Sequence, residues 1–202
     1  VMNEIAKITL IGLLAGIIGT GSGGILSLFL QNPRRGVLSF FLGFFGGIML
    51  AIVMNDLLPE AIETGNHLTA ITGLAFGAIL ILVLDLYLPH FHLFEGTDER
   101  SSFVRTGILL GLGIAMHNLP EGIAIGAGYV ASPTLGFALA FTIALHNIPE
   151  GIAMACPLCA GGLKVHRVIL FTVMAGIPMG VGTFIGAIIG NLSPVILSMA
   201  LC

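Results

Sequence analysis

Two stretches of this chain hold the residues that could do chemistry. Ile114 to Ala124 contains His117-Asn118-Leu119-Pro120-Glu121-Gly122, and Ile143 to Ala153 contains His146-Asn147-Ile148-Pro149-Glu150-Gly151; nine of the eleven positions agree between the copies. On a helix, His117 and Glu121 share a face, as do His146 and Glu150, with Cβ atoms about 5–6 Å apart. An imidazole nitrogen and a carboxylate oxygen so placed can meet one divalent ion at about 2.0–2.2 Å. Pro120 and Pro149 lack an N–H, so the carbonyls of Met116 and Leu145 lose their helical donors. Asn118 and Asn147 add neutral oxygen ligands or hydrogen-bond donors that orient the ligands. Two His and two Glu make a mixed N/O shell that suits Zn²⁺, and also Fe²⁺, Mn²⁺ or Cd²⁺. Ca²⁺ and Mg²⁺ prefer all-oxygen shells.

The elements that must position these residues are membrane helices. Of 202 residues, 56% are hydrophobic and 8% charged, against about 25% charged in an average soluble domain. The apolar residues fall in blocks long enough to cross a bilayer. Ionisable side chains at that depth are functional candidates by default. A polar clasp between helices is the rival reading, and the duplication with matched prolines argues against it. The 29 glycines suit closely approaching membrane helices. Cys156, Cys159 and Cys202 form no disulfide framework, and Cys156-Pro157-Leu158-Cys159 reads as reduced thiols.

Six full spans are expected, at roughly 5–30, 36–54, 68–88, 106–130, 134–155 and 168–190, with the start of a seventh at 194–202. The glycine-rich centre of span one, Gly19 to Gly24, predicts close packing or a local break. Pro178 predicts a break in span six. The loops after spans one, three and five carry Arg34, Arg35, Arg100, Arg105, Lys164 and Arg167, and on the other side stands only Lys7. The positive-inside rule then puts the N-terminus outside and makes 89–105 a cytoplasmic loop. Asp56, Glu60 and Glu63 follow span two at i, i+4 and i+7. A continuing helix, at most kinked by Pro59, would align them as an acidic entrance that collects cations. His90 and His92 are candidates for a cytoplasmic exit, with a solvated loop as the other reading. The chain opens on Val1 and stops at Cys202 within an apolar run, so both ends are expected to be trimmed. No cleavable signal peptide is evident.

Spans four and five run in opposite directions. The motif is therefore an inverted repeat meeting near the midplane, the arrangement expected of a secondary transporter's binding site.

The doubled His-Asn-x-Pro-Glu-Gly resembles the ZIP (Zrt-/Irt-like protein) family of divalent metal transporters, and the match follows the chain in span order. The resemblance implies eight transmembrane helices with the N-terminus outside. It also implies a His-bearing cytoplasmic loop between helices three and four, a metal site between helices four and five, and an elevator-like shift of helices one, four, five and six. It implies that His117, Glu121 and Glu150 are main-site ligands and that His146 stands at a neighbouring liganding position. Asn118 and Asn147 match positions that hold a second ion in some members. Met49 matches a methionine of helix two that can touch the metal, and Asp56 the polar residue at the outer entrance. Two departures stand out. Ile177 precedes Pro178 where some relatives have a bridging Glu, and Asn147 stands where some have Asp. One strong ion site is expected, and a weak or absent second.

The whole chain, 1–202, is thus expected to be one transmembrane domain of an all-α membrane protein, in the bacterial inner membrane. It would move Zn²⁺, or Cd²⁺, Fe²⁺ or Mn²⁺, into the cytosol, and be no enzyme. Its partners would be divalent ions, the lipid bilayer and, in a homodimer, a second copy of the chain; nucleic acid is not among them. Two rivals remain. An intramembrane zinc hydrolase would need His-Glu-x-x-His on one helix, a string this chain lacks. A metal sensor or structural fragment that does not transport rests only on the missing C-terminal helices.

Overall fold

The computed structural model describes residues 2–29, 40, 43, 44, 47, 50, 51, 53–87 and 99–201. The elements among them are all helical: α1 (Met2–Ser27), a π-helical turn (Val53–Leu57), α2 (Leu58–Thr64), α3 (His67–Tyr87), α4 (Glu99–Ala131), α5 (Pro133–Ala160), α6 (Val165–Gly190) and α7 (Pro194–Ala200). Four of these, α1, α4, α5 and α6, are long and apolar enough to cross a membrane. Span two falls largely outside the described residues, as do Met49, His90 and His92.

The four long helices pack on one another through glycine. A Cβ on Gly19 of α1 would lie 2.7 Å from the carbonyl oxygen of Ala144 on α5. Gly23 backs onto Ile148 and Gly151 of α5, and Gly16 onto Gly176 of α6. Between α4 and α6 the same device recurs, with Gly122 against Met179 and Gly182 against Leu119. Apolar solvent does not push helices together, so membrane helices associate by such close backbone packing. The outward faces carry large apolar side chains, including Leu10, Leu14 and Ile18 on α1, Phe137 and Phe141 on α5, and Leu170, Ile177 and Phe184 on α6. That is a surface suited to acyl chains. A single residue, Ser132, separates α4 from α5, which makes them antiparallel neighbours.

One open alternative is decided and two local expectations are corrected. The glycine-rich centre of α1 packs closely and is not broken: the helix is continuous from Met2 to Ser27, with its glycines against α5 and α6. Pro178 does not interrupt α6 either, which runs unbroken from Val165 to Gly190. A proline removes one donor, and neighbouring groups can take over the freed carbonyls. The acidic segment is not a merely kinked α-helix. A π turn, Val53–Leu57, precedes α2. Pro59 offers no N–H to the carbonyl of Asn55, and the wider i→i+5 pattern relieves that conflict. The extra residue in this turn shifts Asp56 off the regular i, i+4, i+7 register.

Away from the four long helices, α2, α3 and α7 are tied by hydroxyls. Ser198 Oγ on α7 donates to the carbonyl of Ala61 on α2 at 2.6 Å and lies 3.0 Å from Thr69 Oγ1 on α3. Asn66 Oδ1 accepts from the N–H groups of Leu68 and Thr69, which caps the start of α3.

Candidate metal site

The two motif copies face one another across the α4–α5 contact. Within α4, His117 Nε2 lies 3.5 Å from Glu121 Oε1. Within α5, His146 Nε2 lies 3.3 Å from Glu150 Oε1. Both pairs follow from helical i, i+4 spacing, and both helices run continuously through their prolines. Across the interface, ligand atoms of His117, Glu121 and His146 all lie within 4.8 Å of one another. Donors on a tetrahedral ion with bonds of about 2.1 Å stand about 3.4 Å apart, so rotamer adjustments of roughly an ångström close the shell. Glu150 joins this group through His146.

The burial of these groups sets the charge they demand. Glu121 and His146 are buried, and the Glu150 side chain is 14% exposed; the His117 side chain, at 48%, is the open edge of the site. Among the described residues no Lys or Arg pairs with either glutamate. Two carboxylates with neutral imidazoles carry two negative charges, and isolated charges are costly in a medium of low dielectric. One divalent cation would neutralise both. Glu121 Oε2, Glu150 Oε2 and Asn147 Oδ1 are buried and have no hydrogen-bond partner among the described residues. All three are oxygen acceptors, which a bound cation would satisfy.

The asparagines are fully buried, and they bond to each other. Asn147 Nδ2 donates to Asn118 Oδ1 at 3.2 Å, and Asn118 Nδ2 donates to the carbonyl of Ala175 on α6 at 2.8 Å. Sequence reasoning did not single out Ala175, because a backbone carbonyl has no residue identity to read. The nearest signal is Pro178, which leaves the adjacent carbonyl, that of Met174, without its helical N–H donor. Ile177, where a bridging acid would stand, is 42% exposed among the outward apolar residues of α6. Asp56 lies exposed on the π turn, and Glu60 and Glu63 lie on α2, half-buried and exposed. These three acids join no His/Cys/Asp/Glu group compact enough to hold an ion among the described residues. Cys156 and Cys159 are free thiols, partly buried.

Comparison with known proteins shows the family. The family described as "ZIP Zinc transporter" matches residues 94–199, a range that contains both motif copies. Over 197 residues the chain is 39% identical to the "Zinc transporter ZupT" of Enterobacter sp. (strain 638), covering 92% of this chain and 76% of that protein. It is 38% identical over 196 residues to the proteins of the same name from Salmonella newport (strain SL254) and Salmonella agona (strain SL483), with the same coverage. The chain belongs to the ZIP zinc transporter family. It is an integral, multi-pass membrane protein of that family. The family match spans the helix pair that carries the repeat.

Proposed function

We propose that this ZIP-family chain carries divalent transition-metal ions into the cytosol, Zn²⁺ first, through a site shared by α4 and α5. His117, Glu121, His146 and Glu150 hold the ion. Asp56, with Glu60 and Glu63, gathers cations at the outer mouth. The topology is six full spans and the start of a seventh with the N-terminus outside, in the bacterial inner membrane. The observation that carries this reading is the convergence of His117, Glu121 and His146 from two antiparallel helices to within 4.8 Å, with two buried carboxylates to balance a charge of two. The names of the relatives support zinc as the cargo. The N/O donor set admits Fe²⁺, Mn²⁺ and Cd²⁺ as well.

Such a site suits transport because its ligands arrive from two helices. A modest displacement of one against the other weakens the shell and frees the ion. Binding displaces protons from liganding groups, so protons compete with the metal. The test is metal uptake into proteoliposomes by the parent chain and by His117→Ala and Glu121→Ala. The proposal requires uptake by the parent and its loss in both variants. Uptake that survives both substitutions contradicts it.

A further inference from the structure

Asn118 and Asn147 occupy equivalent positions of the repeat and are equally buried, yet their hydrogen bonds differ in kind. Asn118 Nδ2 donates to the Ala175 carbonyl, and Asn147 Nδ2 donates to Asn118 Oδ1. A backbone carbonyl only accepts, so it dictates which end of the Asn118 amide turns towards α6. With the nitrogen committed there, the oxygen meets Asn147 and calls for a donor. The nitrogen of Asn147 is committed in turn. The relay is therefore polarised from the backbone of α6 and runs out at Asn147 Oδ1, which has no hydrogen-bond partner among the described residues. Asn147 stands three residues before Glu150, on the same face of α5, and Glu150 Oε2 is a second buried acceptor without a partner.

We infer that Asn118 is a positioning residue and not a ligand, and that it orients Asn147 so that this residue alone gives the ion a neutral carbonyl oxygen. The inference rests on the metal site proposed above. It has two consequences. The amide nitrogen of Asn147 donates to Asn118 Oδ1 at 3.2 Å, so the oxygen a second cation would need between the two asparagines is already taken by a donor, and the site takes one ion. The backbone of α6 also helps to set the metal affinity without touching the metal, because it holds the first amide of the relay.

Co²⁺ tests this on the purified full chain in nanodiscs, since its d–d bands report the ligand set whereas d¹⁰ Zn²⁺ is silent. The parent chain binds one Co²⁺ at this site. Asn118→Leu weakens binding about 10–100-fold, the usual cost of losing a group that orients a ligand, and leaves the bands of the saturated protein where they were. Asn147→Ala weakens binding and moves the bands. Should Asn118→Leu fail to fold, Asn118→Ser carries the same prediction, because its hydroxyl is too short to reach both Ala175 and Asn147. Bands that move in the Asn118 variant as they do in Asn147→Ala make Asn118 a ligand and overturn the inference. So does an unchanged affinity accompanied only by a lower melting temperature, or a second Co²⁺ bound at the site of the parent chain. No binding by the parent chain overturns the proposed metal site together with this inference. Binding by the parent with any of the other contrary results overturns the inference alone.

Discussion

The copy of the motif on α4 and the copy on α5 share nine of eleven residues, but they sit in different surroundings. The imidazole of His117 is 48% exposed, and that of His146 is 11% exposed. On α5, α1 closes over the motif: Gly19 backs onto Ala144 and Asn147, and Gly23 onto Ile148. On α4 the cover comes from α6, through Gly122 against Met179, and His117 stays at the open edge. The amides diverge in the same way, with that of Asn118 tied to α6 and that of Asn147 ending in an open oxygen. Residue type decides which bonds are available. The neighbouring helix decides which atom is left to make them.

The largest effect should come from the carboxylates. Glu121→Gln keeps the shape of the side chain and removes half of the charge that balances the ion, so metal uptake in proteoliposomes should fall by about 100-fold or more, at or beyond the upper end of what an orienting residue costs. A Glu121→Gln chain that transports within a few-fold of the parent would dissolve the comparison, because neither copy would then be needed for its charge. Next come the two imidazoles. Both imidazoles lie in the compact group of donor atoms and each meets the glutamate four residues on, but His146 is far less exposed than His117, 11% against 48%. His146→Ala should therefore lower Zn²⁺ affinity, measured by competition with a fluorescent chelator, more than His117→Ala does. Equal losses would mean that the two copies are equivalent after all.

Packing sharpens the contrast further. A Cβ on Gly151 would meet the backbone of Thr20 on α1, which cannot swing aside as a side chain can. Gly151→Ala should destabilise the protein by about 1–3 kcal/mol, read as a lower melting temperature in detergent. The difference in exposure predicts that a cysteine placed by His117→Cys reacts with a water-soluble thiosulfonate several-fold faster than one placed by His146→Cys, with Zn²⁺ protecting both. The smallest effect belongs far from the motif. Ser198→Ala removes the hydroxyl that ties α7 to both α2 and α3 and should cost about 1–2 kcal/mol, with uptake unchanged.

Much of this was legible from the chain. The repeat could be read because His and Glu at four-residue spacing are rare in apolar runs, and a helix converts that spacing directly into shared faces. Four of the spans could be read, as α1, α4, α5 and α6, because uninterrupted apolar length has few other meanings. What stayed hidden depends on contacts between distant segments. Nothing in the residue string distinguishes Asn118 from Asn147, because the distinction lies in the carbonyl of Ala175. The glycines of α1 allowed either packing or a break, and only the backbones of α5 and α6 behind them decide for packing. Pro178 and Pro59 show the same limit from the other side. A missing N–H is certain from sequence, but whether the helix breaks, continues or widens into a π turn depends on which groups can serve the orphaned carbonyl.

The claim beneath all of this is that α4 and α5 close on one ion. Anomalous diffraction at the zinc edge, from crystals of the full chain grown with Zn²⁺, tests it most directly. The account predicts a peak within coordination distance of His117, Glu121 and His146, single at that place, with the Glu150 carboxylate turned towards it. A density map in which zinc sits elsewhere and these side chains stay apart would contradict it.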